Sequence, residues 1–578
     1  MEETANLTQK NNYTWVFYAV VILILVFLFF KLPLQGLRIN DGGQKYIQMQ
    51  SFVMNKWKTL AIGYPGRFID PALKYISQSK QHGIFFAQEG KLYSIYQPLF
   101  TFLSSLFYPF MGDRVIHFIP MLTFLASVFV MGSILKIVVK PGPIHLFLLF
   151  IYTFASPVIL YSITFWEHVP SVFLVVCGMY FMVKYFYRQE KNIYLILMFF
   201  FLGLTLFFRQ EVSILIVSVF IVLLIYFISS RQSKPISSMV IGLLVSIGLY
   251  FVNNLIFYKR LISMEIFANV KEGIVYLQPY NVIIFSIFSC ILCMAIFGVL
   301  KKSRNDTLYD FIPVIWFGFF LLVFFMAPVR KLFTEFPVCL ILFYNFREFF
   351  KKGDNTGLKL DKIIAGIFIL YVTGAVLWSN LTPHQDVRYY LPVIPFVVLF
   401  VAIKQESILK DKNKMFFLFL FVVVSFSSML YRAKTDMLYY KYETVDRLEF
   451  LKKHTQKGDV VVFDFRRIME ICGPLYFERI FLINNRTKDL YEICSKLDDK
   501  GYDHLYFWNG KNPYQEDIMK IWNKVNGKYK VVETYYFKRG EKMFKIGWEE
   551  SPEKESVKKT HSRSRLLPPP RPKKTRPF

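Results

Sequence analysis

The chain has little cysteine, little histidine and few acids for its length. Six cysteines among 578 residues cannot staple a fold of this size, so a disulfide scaffold is excluded. Cys177, Cys290, Cys293 and Cys339 fall in apolar runs, where a cysteine serves as a small hydrophobe. Cys290 and Cys293 spell CxxC but have no second ligand pair at their depth, so no zinc or redox site is expected there. Cys472 and Cys494 lie on the side read below as external, and a disulfide between them stays open. Acids number 41 against 69 lysines and arginines, for a formal net charge of +28. In a soluble protein that balance points to nucleic acid. Here much of it sits in short loops and in segment 551–578, so topology and anionic lipid explain it and no nucleic-acid partner is expected. Internal repeats are lacking, and no small-residue site follows the first apolar run, so no cleavable signal peptide is expected.

Apolar surface is what the chain has in excess. Hydrophobic residues make up 54% of it, more than a soluble fold of this length buries. Apolar runs recur at lengths near the ~20 residues needed to cross a bilayer. They are read as spans at 13–32, 115–139, 144–161, 169–186, 193–208, 212–228, 236–257, 282–300, 311–326, 332–346, 363–378, 390–403 and 416–430. The expectation is a polytopic all-α membrane protein of about thirteen helices. Short loops on one side hold about nineteen basic residues against roughly seven on the other, which makes the richer side cytoplasmic. The N-terminus is then cytoplasmic, and segment 34–114 and everything after 431 lie outside.

Three divisions follow. Residues 1–431 form a membrane module, in which 34–114 is a long external loop with amphipathic stretches at 44–58 and 95–111. The second stretch is read as lying at the outer interface because of its tyrosines and prolines. Residues 432–550 read as an external α/β domain, with strands at 459–465, 479–483, 504–508 and 529–537 and helices near 488–500 and 515–525. Residues 551–578, with PPPRPKKTRP, read as a disordered tail.

Ionisable residues at a membrane are expensive, and those gathered on one side are functional candidates. Asp41 follows the first span in RINDGG, although a helix N-cap near Gln44 would use the same residue. Lys91, Tyr93 and Tyr96 stand in GKLYSIYQP, where aromatic anchoring would also explain the tyrosines. Glu167 and His168 occupy a loop too short to solvate them, so they face a cavity or ion-pair partners. Arg209, in FRQE, suits a phosphate, or it pairs with Glu211 or Glu167. His384, Arg388 and Tyr389 lie in PHQDVRYYLP, and Arg388 is the better phosphate ligand unless Asp386 claims it.

Together these residues resemble the polytopic GT-C glycosyltransferases that use lipid-linked sugars. The nearest branch is that of the protein O-mannosyltransferases and the aminoarabinose transferases of lipid A. The likeness rests on the Asp after the first span, on KLYSIYQPL against G-x-Y-S-x-Y-P-P-L, on VRYYLPVIPF against R-Y-L-L-P-x-x-P, and on LTLFFRQE against G-L-A-x-L-T-R-P-E. It spans roughly residues 14–405. Gln97 and Gln210 stand where the family has proline, and the acid of the second external loop belongs to a Glu-His pair. The resemblance implies that Asp41 is a general base, that Arg209 and Arg388, with Lys91, bind the donor's phosphate, and that Glu167 supplies negative charge near the sugar. Tyr93, Tyr96, His168, His384 and Tyr389 would line the cavity. It implies a polyprenyl-phosphate sugar donor, a lipid, glycan or protein acceptor, contact with membrane lipid, and inversion at the anomeric carbon. No cofactor motif is present, and a divalent metal at Glu167 and His168 stays open. A transporter of lipid-linked sugars is the competing reading, but transporters place charge near the bilayer midplane and show repeats.

Overall fold

The computed structural model describes residues 2–33, 41–77, 85–188, 191–258, 327–344, 360–381, 387–464, 472–484, 487–510 and 528–548. The spans expected at 282–300 and 311–326, the helix expected near 515–525 and the tail from 551 lie outside the described residues. So do Cys290, Cys293, Pro383, His384 and Asp386. The chain divides into two compact units. The first comprises Met1–Tyr64, Ser77–Glu449 and Glu470–Leu475; the second comprises Pro65–Ile76, Phe450–Met469 and Tyr476–Phe578. The division expected after residue 431 falls inside the helix Lys412–Tyr440, because the helix continues past the end of its apolar run.

The first unit is helical. Among the described residues, six helical stretches are long and apolar enough to cross a membrane: Tyr13–Lys31, Pro98–Val138, His168–Tyr187, Gln210–Ser229, Lys234–Ile256 and Lys412–His454. Trp15, Leu23, Phe27 and Phe30 of helix α1, Glu2–Lys31, are exposed, as lipid-facing side chains must be when lipid is the solvent. Small residues let other helices close up. A Cβ on Gly242 would lie 2.4 Å from the carbonyl oxygen of Ile196, so only glycine allows the helices Lys234–Tyr258 and Asn192–Leu204 this approach.

Two expected spans take a different form. The run 144–161 is two helices, Pro143–Thr153 and Val158–Ser162, because Pro157 lacks an N–H and disfavours helix at the residue before it. The run 390–403 begins as a 3₁₀ turn, Val387–Val393, before the helix Ile394–Ile403, with Pro392 and Pro395 at the junction. The first long loop carries helix α2, Asp41–Met54, and a hairpin of β1, Phe85–Gln88, and β2, Lys91–Ser94. The hairpin turn is Glu89-Gly90 with both φ values positive, the backbone that two-residue hairpins favour. The helix Pro98–Met111 follows, with Pro98 at its first turn.

The second unit holds a five-stranded sheet in the order β4-β3-β5-β7-β6. Its strands are β3 Val460–Phe463, β4 Ile480–Ile483, β5 His504–Asn509, β6 Tyr529–Tyr536 and β7 Lys542–Trp548. β3 runs parallel to β4 and β5, and β7 is antiparallel to β5 and β6. The helix Thr487–Asp498 links β4 to β5. Lys74, from the short segment Pro65–Ile76 of this unit, pairs with Asp489 at 3.0 Å and Glu492 at 2.9 Å. β7 escapes the sequence reading because it is buried on both faces, which erases the polar alternation of a half-buried strand. Cys472 and Cys494 are both buried, and neither is in a disulfide.

Candidate active site

The site is built on α2. Asp41 is its first residue, where the helix N-terminus favours negative charge. Lys45 lies one turn on, and a spacing of four puts both side chains on one face. Asp41 Oδ1 accepts from the Tyr96 hydroxyl at 2.8 Å, and Oδ2 pairs with Arg388 Nη1 at 3.2 Å. Tyr96 comes from the turn after β2, and Arg388 from the 3₁₀ turn that the prolines impose. The Arg388 guanidinium lies 5.2 Å from the ring centres of both Trp166 and Tyr389, and its Nη2 is 3.4 Å from the Tyr389 hydroxyl.

A second group adjoins the first through Lys45. Its ammonium lies 4.4 Å from the Tyr96 ring centre and pairs with Glu167. Glu167 Oε1 accepts from Arg209 Nη1 at 2.7 Å. Arg209 also pairs with Glu211, and its Nη1 is 3.3 Å from His168 Nε2. The result is one continuous network of three carboxylates and three cations within the first unit.

Electrostatics separates the two acids from ordinary surface carboxylates. Burial pushes the Asp41 carboxyl up, but the charge of Arg388, then that of Lys45, the Tyr96 hydrogen bond and Arg209 outweigh it and hold the group down at about 2. For Glu167, too, burial raises the carboxyl, and Lys45 and Arg209 more than reverse this, so it lies below the usual range. Both acids are therefore anions at neutral pH.

The structure thus brings together Asp41, Tyr96, Glu167, His168, Arg209, Arg388 and Tyr389. It does not bring in Lys91 or Tyr93. β2 buries Leu92 and Ser94, and strand alternation turns Lys91, which is exposed, and Tyr93, which is half-buried, to the other face. Among the described residues neither is hydrogen-bonded or ion-paired to the Asp41 network. Reading KLYSIY as one continuous motif missed this alternation. His384 lies outside the described residues. Lys45 was missed, although its spacing from Asp41 on a helix is a legible signal. Arg209 turns out to hold both of the acids proposed as its partners rather than one.

For a divalent metal the fit is poor. Glu167 and His168 both face the Arg209 guanidinium, whose charge opposes a cation there. Among the described residues no three His, Cys, Asp or Glu side chains converge.

One neighbour constrains α2 from the side. Gly473, in the segment Glu470–Leu475 that belongs to this unit, would place a Cβ 2.9 Å from the backbone oxygen of Gly43, between Asp41 and Lys45. Gly473→Ala should therefore displace α2, costing about 1–3 kcal/mol and misplacing Asp41. A lowered melting temperature in detergent, together with reduced turnover, is the expected result. An unchanged melt would show that α2 is not braced there.

No family model and no curated protein matches the chain. Three solved structures align with most of it. ArnT from Cupriavidus metallidurans bound to undecaprenyl phosphate is 10% identical, at a TM-score of 0.41, over 92% of this chain and 98% of that one. The same protein in the apo state is 12% identical, at 0.43, over 93% and 98%. The Archaeoglobus fulgidus oligosaccharyltransferase in complex with Zn and sulfate is 13% identical, at 0.46, over 91% and 72%. At TM-scores below 0.5 such likeness says nothing of chemistry, which rests on the residues described above.

Proposed function

We propose that this chain is a membrane glycosyltransferase that moves a sugar from a polyprenyl-phosphate donor to a lipid, glycan or protein acceptor on the non-cytoplasmic face. The observation that carries this reading is the Asp41 carboxylate set between the Tyr96 hydroxyl and the Arg388 guanidinium. Glycosyl transfer from a lipid phosphate needs one group to take the acceptor's proton and cations to receive the leaving phosphate. Asp41 takes the proton as the acceptor oxygen bonds to the anomeric carbon. The bond from that carbon to the phosphate oxygen breaks, and its electron pair leaves with the phosphate toward Arg388. Direct attack with no protein nucleophile inverts the anomeric carbon.

Glu167 supplies negative charge near a carbon of oxocarbenium character. Arg209 was expected to bind phosphate, but it is already engaged by Glu167 and Glu211, so in this reading it orients Glu167. The apolar spans supply the lipid-facing surface that a polyprenyl chain requires, and the basic-loop asymmetry puts Asp41 on the outer side.

Mass analysis of surface glycans and lipids in cells lacking the protein tests this reading. One sugar should disappear from its acceptor while its polyprenyl-phosphate donor accumulates. An unchanged glycan and lipid profile would rule the reading out.

A further inference from the structure

Lys45 is a cation that neither the motif comparison nor the reaction above uses. It is buried, with a side chain only 2% exposed, and burying an ammonium is costly unless it is paired or put to use. Among the described residues its carboxylate partner is Glu167, which it shares with Arg209. Its other neighbour is the face of the Tyr96 ring, the ring whose hydroxyl donates to Asp41. Lys45 thus lies beside the reacting carboxylate and is held less firmly than Arg209, which two carboxylates grip.

We infer that Lys45 is the second ligand of the donor's phosphate, swinging from Glu167 to the phosphate when the donor binds. This rests on the proposed function. The net charge of the cluster does not change in the reaction, but negative charge moves from Asp41 to the phosphate, which favours a second cation there. The three acids Asp41, Glu167 and Glu211 offset Lys45, Arg209 and Arg388 at rest. A polyprenyl-phosphate sugar is a phosphodiester with one negative charge, and it leaves as a phosphate monoester with two. The proton lost by the acceptor ends on Asp41, which cancels the negative charge there as the phosphate gains one. Arg388 alone answers one of the two phosphate charges. Lys45 answers the other, because a lysine is a point charge on a four-carbon stem that can change partners without rearranging a fork of hydrogen bonds. Glu167 then shares Arg209 with Glu211.

Equilibrium binding of radiolabelled undecaprenyl phosphate to the purified full-length protein in detergent tests this, with undecaprenol as the phosphate-free control. Lys45→Met should weaken binding of the phosphate about tenfold or more, the loss of one charge-assisted contact, and leave undecaprenol binding unchanged. Lys45→Met leaves Glu167 short of a partner, so the double variant Lys45→Met/Glu167→Gln, which removes one charge of each sign, is measured beside it to separate lost binding from a damaged fold. The double variant should show the same loss. If it binds undecaprenyl phosphate as the wild type does while Arg388→Met binds weakly, Lys45 only neutralises Glu167, and the donor reading survives without it. If the wild type binds undecaprenyl phosphate no better than undecaprenol, the donor reading fails and Lys45's role fails with it.

Discussion

Asp41→Asn should lower sugar transfer by about a thousandfold, within the range typical of a lost general base, while the protein accumulates to its normal level. The amide keeps the size of the carboxylate, and its oxygen can still accept from Tyr96, which donates at 2.8 Å in the wild type. What the amide cannot do is take a proton. Arg388, relieved of its pairing with Asp41, becomes more available to phosphate, so donor binding should hold or tighten while kcat collapses. That split separates a lost base from a damaged pocket. Transfer at near wild-type rate would remove Asp41 from the chemistry.

Arg388→Met should cost turnover about a hundredfold or more, the scale seen when one preorganised charge at a developing anion is removed, and should weaken donor binding as well. It should also alter the pH dependence. In the wild type the Asp41 carboxyl is held at about 2, with Arg388 the largest of the influences lowering it. The base is then ionised at every working pH, and no acid limb of the rate profile belongs to it. Without Arg388 the carboxyl rises, with Lys45, Tyr96 and Arg209 still holding it down, so an acid limb should shift upward in pH. The stability linkage has the same sign: a depressed carboxyl stabilises the fold above its unfolded value of ~3.9, and this is lost as pH falls toward 2. The wild type should therefore show no stability change from this group between pH 5 and 8. Rates measured from pH 4 to 8 decide the matter, and a variant profile parallel to the wild type would mean that Arg388 does not set the charge state of Asp41.

Much of this site was legible because charge near a bilayer is costly. Asp41, Glu167, Arg209 and Arg388 stand out in apolar surroundings, and the structure joins all four in one network. What stayed hidden depended on local geometry. Lys91 and Tyr93 looked like neighbours of Tyr96 in a linear motif, yet a strand turns alternate residues to opposite faces. Lys45 looked like one polar residue of an amphipathic stretch, and only the start of α2 at Asp41 shows that the two share a face. The break at 154–157 follows from Pro157, but hydropathy averaged over a window passes across it. β7 was invisible for the opposite reason, because a strand covered on both sides has no alternation to read.

The allocation of chain between the two units bears on how deletion experiments are read. Glu470–Leu475 belongs to the helical unit and Pro65–Ile76 to the sheet unit, so no single cut in the sequence yields both parts whole. A protein shortened to end before residue 470 loses the strand of backbone that lies against Gly43. Its inactivity would report a slackened α2, and would be no proof that the sheet unit handles substrate.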